Sequence, residues 1–178
     1  MPHALEAAYG NRHFLGQGVE VLRRLDDATY SHFGGAAGGA PVGVHFRHVL
    51  DHYRSFFLGI ASGQIDYDAR QRDPRLERDR EFAIETALGL VSDLGRIAEA
   101  DGGRPLRVNM RSIAADDAGS DWSDSTLKRE LQFLVSHTVH HFALIKELLR
   151  QAGVDAGEDF GVAPSTLAHL RQVAACAR

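Results

Sequence analysis

The chain has 178 residues, of which 44% are hydrophobic and 25% charged, with a formal net charge of −4. This composition is typical of a soluble globular domain with a real core, and its mildly acidic balance argues against nucleic acid or a membrane surface as a partner. One cysteine excludes an intrachain disulfide and a cysteine zinc site. With neither a membrane-spanning run nor a signal peptide visible, we expect a cytoplasmic protein.

Apolar residues recur at helical spacing in four long segments. These segments are 11–30, 41–62, 80–100 and one that starts behind a cap at 121–125 and stops at Gly153. Between them lie a Gly-rich connection, a charged loop over 63–79 and a polar connection over 102–120. In the last of these, "PLRVNMRSI" could pair as a small hairpin. A short helix capped by Ser165 or Thr166 follows. The pattern predicts an all-α protein, a four-helix bundle in one domain over 1–178.

Six of the ten histidines fall in two of these helices. The second predicted helix contains "VHFRHVLDHYRSF" and the last contains "LVSHTVHHFALI". Residues four apart on a helix differ by about 40° around its axis, so His48 and His52 share one face, as do His137 and His141. Both faces also carry the apolar residues that must be buried. Two helices therefore project imidazoles toward a shared interior, where bundle proteins assemble metal sites.

The alternative is a core of hydrogen-bonded histidines without a metal. Several neutral imidazoles buried together need partners for two nitrogens each, and their protonation is costly. A divalent metal accepts a lone pair from each ring and opposes protonation, so we favour a metal site. The protease motif with two histidines four apart is excluded, because it needs Glu after the first histidine and Thr138 stands there.

These residues resemble the DinB-like superfamily of metal-dependent bundle proteins. "LVSHTVHHFALI" is similar to its last-helix metal motif and "PVGVHFRHVLDHY" to its second-helix motif. The order and separation of the motifs, and the closing "EDFGVAPSTLAHL", extend the resemblance over nearly the whole chain. It implies a four-helix bundle of the DinB-like type that holds one divalent metal between His48, His137 and His141.

Three further residues have roles that the sequence leaves open. His52 has no counterpart in the family pattern, so it is an additional ligand, a partner that orients a ligand, or a packed side chain. Glu130 and Asp51 lie near the ligands along their helices and are candidates for a general base or an anchoring charge. We favour a solvated or histidine-orienting carboxylate in both cases. Two other histidines are predicted to flank the site as partly exposed residues: His45 and His140.

Three histidines and an open position are typical of a catalytic rather than a structural metal site. We expect the ion to be zinc, nickel or iron. Relatives in the superfamily include S-transferases, which implies a small-molecule substrate and a low-molecular-weight thiol whose proton the metal displaces. The alternatives are a metal-dependent hydrolase and a non-catalytic stress or interaction protein. Residues 142–144 are apolar where many members carry Arg-Gly-Gln, so substrate-handling roles do not transfer, and no catalytic residue is assigned. We expect a homodimer.

Overall fold

The computed structural model describes residues 5–35, 37–97, 100–112 and 121–176. Within these ranges the chain is mostly helical and also forms a small sheet. The helices are α1 (Leu5–Arg24), α2 (Asp27–His32), α3 (Val42–Ile60), α4 (Arg75–Arg78), α5 (Arg80–Ile97), α6 (Leu127–Gln151) and α7 (Pro164–Cys176). The strands are β1 (Gln64–Asp66), β2 (Pro105–Asn109) and β3 (Trp122–Thr126).

The four longest helices of the described chain enclose the hydrophobic core. Helix α1 packs against α5 and α6, and α3 packs against α6 and α5. Large side chains from these helices are fully buried, among them Phe14, Tyr53, Phe56 and Phe142. The two histidine-bearing helices that the sequence predicts to face a shared interior correspond to α3 and α6, which pack against each other.

The prediction of an all-α fold is only partly right, because three strands form one sheet in the order β1-β2-β3. Strand β2 runs parallel to β1 and antiparallel to β3. The predicted hairpin within 102–120 is therefore only half right: β2 lies there, but its antiparallel partner is β3, over 122–126. Residues 113–120 lie outside the described ranges. The sequence pattern predicts a loop where β1 lies, because three residues are too few to show an alternating pattern.

Three helix boundaries differ from the prediction, and the first difference is that α1 starts at Leu5 rather than at residue 11. The first predicted helix is divided into α1 and α2, because Asp26 has extended backbone and its carboxylate accepts a hydrogen bond from the Thr29 N–H. Helix α6 starts at Leu127 rather than within 121–125, because the preceding residues pair with β2. Thr126 caps α6 by accepting a hydrogen bond from the Arg129 N–H. None of the helices in the described ranges combines the length and apolar character needed to cross a membrane.

Gly59 brings the sheet into direct contact with α3. A Cβ atom at this position would lie 2.7 Å from the Ile65 Cα and would also clash with the Gln64 carbonyl oxygen. The absence of a side chain therefore lets β1 cross close to the helix. As a result Ile65 and Tyr67 are fully buried, and Tyr67 is placed beside the histidines of α3.

Candidate metal centre

Four imidazole rings converge where α3 packs against α6. The His48 ring centroid lies 4.5 Å from that of His52, 4.9 Å from that of His137 and 4.6 Å from that of His141. The His137 ring lies 4.1 Å from His52 and 4.7 Å from His141. The structure thus brings together the three ligands that the resemblance implied, and it adds His52 to them.

The ring nitrogens are close enough to share one ion. One nitrogen each from His48, His52 and His137 lies within 4.8 Å of the other two. Nitrogens bound to one tetrahedral zinc are about 3.3 Å apart, because Zn–N bonds are about 2.0–2.1 Å long. Small side-chain rotations would therefore bring these nitrogens to ligand distance.

The hydrogen bonds of the cluster leave lone pairs free for an ion. His52 Nδ1–H donates to the backbone carbonyl oxygen of His48 at 2.7 Å, so its Nε2 carries the free lone pair. Orientation of a ligand ring by a hydrogen bond to its other nitrogen is common in metal sites. The His137 Nδ1 atom is buried and has no hydrogen-bond partner in the described part of the chain. Such an unsatisfied buried nitrogen is unfavourable unless a ligand binds it.

Burial keeps all four rings neutral at neutral pH. It is the largest cause that lowers the pKa of His48 to about 3, of His52 to about 4, of His137 to about 2 and of His141 to about 4. Positive charge on neighbouring imidazoles lowers the pKa of His48, His137 and His141 further. The neutral imidazole is the form that binds metals, so a divalent ion would not have to displace protons at pH 7.

Two aromatic side chains cover the cluster on one side. The Tyr67 ring stacks on His52 with centroids 5.4 Å apart, and the Phe133 ring stacks on His137 at 5.7 Å. Sequence reasoning missed Tyr67, which lies in a segment read as a solvated charged loop. The available signal was a large aromatic residue between two aspartates, which is unusual in a loop fully exposed to water.

The two candidates for a general base or an anchoring charge, Glu130 and Asp51, form hydrogen bonds or ion pairs with residues other than the histidines. Glu130 is buried and accepts hydrogen bonds from the Tyr67 hydroxyl at 3.1 Å and from the Ser125 hydroxyl. Asp51 is buried and forms ion pairs with Arg47 at 3.3 Å and with Arg54 at 3.8 Å. Each carboxylate is therefore engaged by groups outside the histidine cluster.

The two flanking histidines differ in their surroundings. His45 is half-buried, and its Nδ1 lies 3.2 Å from the Nδ1 of His141, so one of the two rings donates a hydrogen bond to the other. His140 is exposed, although its ring lies 5.0 Å from that of His141. His45 can therefore orient His141, a contact that was not predicted.

Comparison with known proteins leaves the family unassigned. No protein-family model matches the chain, and no solved structure matches it significantly. The chain is 32% identical over 108 residues to FK506-binding protein 5 of Rhizopus delemar. This match covers 61% of the chain but spans only 28% of the length of that relative.

Proposed function

We propose that the protein is a divalent-metal-binding protein of the DinB-like type, a four-helix bundle that uses its metal to activate a low-molecular-weight thiol for transfer. The observation that carries the proposal is the convergence of imidazole nitrogens within 4.8 Å of one another between α3 and α6. The unsatisfied Nδ1 of His137 supports it further. A core made only for stability would pair these nitrogens internally.

In this proposal His48 and His137 hold the ion together with His141, the third ligand of the DinB-like resemblance; the group of nitrogens within 4.8 Å of one another has His52 in that third place. When bound, a divalent metal with an open position holds a thiol as the thiolate at neutral pH and so supplies the nucleophile. The apolar walls formed by Tyr67 and Phe133 exclude water from that side, which strengthens every electrostatic interaction at the ion. A hydrolase is less well supported, because Glu130 accepts hydrogen bonds from Tyr67 and Ser125, and Asp51 forms ion pairs with Arg47 and Arg54.

His52 supports a second candidate, a metal-binding protein without turnover. Its ring is 4.1 Å from that of His137, the shortest of the ring separations in the cluster. If His52 is a fourth ligand, zinc is closed by four protein nitrogens, as is usual for structural sites. If His52 only orients its neighbours, one position stays open for a thiol. The similarity to FK506-binding protein 5 supports neither candidate function, because the match covers only 28% of that protein.

The test uses full-length protein purified without a histidine tag. Elemental analysis should find about one equivalent of divalent metal per chain, as expected for one mononuclear site. Conjugation of 2-mercaptoethanol to 1-chloro-2,4-dinitrobenzene should depend on that metal: chelation should abolish the rate and one equivalent of the ion should restore it. Metal binding without thiol conjugation would favour the second candidate. Protein that neither retains nor rebinds a divalent metal would refute both.

His52→Gln separates the two candidates. Loss of a fourth ligand should lower metal affinity and open a coordination position, so that thiol binding appears or increases. Loss of an orienting residue should lower metal affinity by about 10–100-fold but leave thiol binding by the metal-loaded protein unchanged, since no coordination position is opened. His140→Gln is the matched control, because His140 is exposed and lies at the edge of the cluster.

A further inference from the structure

Arg70 lies beside the histidine cluster in the segment that joins β1 to α4. Its guanidinium donates a hydrogen bond through Nη1 to the backbone carbonyl oxygen of Tyr67 at 2.6 Å. Because the Tyr67 ring stacks on His52, this bond holds Arg70 next to the residue that covers the cluster. The Nε atom of Arg70 is buried and has no hydrogen-bond partner in the described ranges. The side chain therefore has donor capacity left over.

The charge of Arg70 acts on the proposed ligands. After burial, which is the largest cause, the positive charge of Arg70 contributes to lowering the pKa of both His48 and His52. The guanidinium is therefore within electrostatic range of these two rings. A cation near a dication is unfavourable unless an anion lies between them.

Arg70 differs from the arginines of α3 in its partners. Arg47 forms ion pairs with Asp51 and Glu77, and Arg54 pairs with Asp73. Arg70 forms no ion pair within the part of the chain that the structure describes.

The carboxylates that act on Arg70 at longer range are Asp51 and Asp68. Asp51 pairs with Arg47, and Asp68 accepts a hydrogen bond from the Arg111 backbone N–H at 2.8 Å. Each of these carboxylates already has a nearer partner. The guanidinium of Arg70 thus has no carboxylate committed to it.

A cleft of about 280 Å³ adjoins Arg70. Polar side chains that line it are Ser55, Ser62, Gln64, Asp66, Arg70 and Gln71. Ser55 follows His48 by seven residues and so lies within about 20° of it around α3. The wall of the cleft therefore continues the face of α3 that carries His48 and His52. Arg70 belongs both to the cleft and to the surroundings of the histidines.

Asp66 is the carboxylate in this cleft, and its oxygens are already engaged. One oxygen accepts the backbone N–H groups of Asp68 and Ala69, and the other accepts the Asn109 side-chain amide at 3.0 Å. Asp66 therefore organises the turn after β1 rather than neutralising Arg70.

We infer that Arg70 binds an anionic group, a carboxylate or a phosphate, on the small molecule that reaches the metal, a role that rests on the proposed function. A guanidinium presents parallel N–H donors that match the oxygens of such groups, and charge-assisted hydrogen bonds of this kind are among the strongest in proteins. Arg70 is a binding residue in this role. It selects acidic thiols or acidic acceptors over neutral ones.

The test uses the full-length protein loaded with Co²⁺, whose sulfur-to-cobalt absorption band reports thiol binding directly. Two thiols of similar size are titrated, 3-mercaptopropionate with a carboxylate and 2-mercaptoethanol without one. Wild type should bind the carboxylated thiol about tenfold more tightly, the effect of one good hydrogen bond to a charged group. Arg70→Gln should remove this preference, so that the two thiols bind to the variant with similar affinity.

Two variants control the experiment. Arg72→Gln removes an exposed charge of the same sign two residues away and should keep the tenfold preference. Arg70→Lys keeps the charge but loses the forked donors, so it should retain only part of the preference. It also provides the test if Arg70→Gln does not fold.

The outcomes distinguish a failure of the role of Arg70 from a failure of the proposed metal site. If wild type and Arg70→Gln show the same preference for the carboxylated thiol, the role of Arg70 is overturned, but the proposed metal site is not affected. An equal loss in Arg70→Gln and Arg72→Gln shows only a general effect of positive charge and also overturns it. Wild-type protein that binds no Co²⁺ refutes the metal proposal, and the role of Arg70 falls with it.

Discussion

Two polar clusters lie side by side, one among α1, α3 and α6 and the other between α3 and α6, and they are built differently. In the first, the Asn11 amide donates to the carbonyl oxygens of Ala7 at 2.7 Å and Leu131 at 2.8 Å. The Tyr53 hydroxyl donates to the Asn11 Oδ1 at 2.6 Å and lies 3.0 Å from the Thr138 hydroxyl. We call these three side chains, Asn11, Tyr53 and Thr138, the closed triad, because its hydrogen-bonding groups find partners within the protein.

The histidine cluster occupies the neighbouring positions of the same helices. His52 precedes Tyr53, and His137 precedes Thr138. Here the rings face one another, and the buried Nδ1 of His137 has no donor or acceptor among the described residues. The triad is complete without a ligand, whereas the histidine cluster leaves a buried nitrogen unsatisfied. Both clusters contain buried polar atoms, so it is the unsatisfied His137 nitrogen together with the converging rings, and not burial alone, that distinguishes the candidate site from the closed triad.

The largest expected effect comes from removing a histidine at the centre of the cluster. In His137→Ala, metal content should fall from about one equivalent to well below it. Replacing a residue that only supports a ligand lowers metal affinity by about 10–100-fold, so replacing a direct ligand should lower it by more than about 100-fold. Elemental analysis of untagged protein measures this. His140→Ala, an exposed neighbour, should retain its metal. Unchanged metal content in His137→Ala would contradict the assignment.

The second effect is a pH dependence that comes mainly from the histidine cluster. The folded pKa values of His137, about 2, and His52, about 4, lie below the ordinary 6.5. Between these values and pH 6.5 the unfolded chain therefore binds more protons than the folded protein. As a result, the free energy of unfolding is greatest above pH 6.5 and decreases as the pH falls below it. Each such histidine contributes a slope of at most about 1.4 kcal/mol per pH unit, and solvent screening reduces this for the more exposed rings.

Urea denaturation of the metal-free protein at pH values from 7.5 to 5 measures this slope. The closed triad should contribute nothing in this range, since burial raises the pKa of Tyr53 further above its already high value. His137→Ala should make the dependence shallower. Stability that stays constant from pH 7.5 to 5 would show that the folded rings accept protons as readily as the unfolded chain does.

The third effect tests the closed triad. Tyr53→Phe leaves the Asn11 Oδ1 buried without its donor, which should lower the free energy of unfolding by about 1–3 kcal/mol. Metal content should not change. The control is Tyr9→Phe, because the Tyr9 side chain is 52% exposed. Chemical denaturation together with elemental analysis separates the two clusters. A loss of metal in Tyr53→Phe would show that the triad supports the ligands and is not independent of them.

The smallest effect is expected at Glu130. Its carboxylate accepts hydrogen bonds from Tyr67 and Ser125, and an amide oxygen in Glu130→Gln can still accept one of them. Metal content should stay at the wild-type level, and the rate of thiol conjugation should remain within about threefold, a change of less than 1 kcal/mol. A tenfold or greater loss of rate at unchanged metal content would instead identify Glu130 as a participant in the reaction.

The long helices were predictable because their apolar residues repeat over many turns. Helices α3 and α5 agree with the predicted segments 41–62 and 80–100 to within a few residues. The sheet was not predictable, because each strand has five or fewer residues. Its pairing of β1 with β2 also joins segments about forty residues apart. Short strands take their stability from such distant partners, which a local pattern does not show.

The sequence by itself determined that His48 and His52 share one face of a helix, as do His137 and His141, because helical geometry is local and every residue advances about 100°. Only the tertiary structure decided that the two faces meet. It also placed the His52 ring 4.1 Å from His137 and brought Tyr67 and Arg70 to the cluster from the segment that follows β1. The physical reason is that these distances depend on how α3, α6 and the sheet pack around one core. That packing is the sum of many weak contacts between residues far apart in the chain.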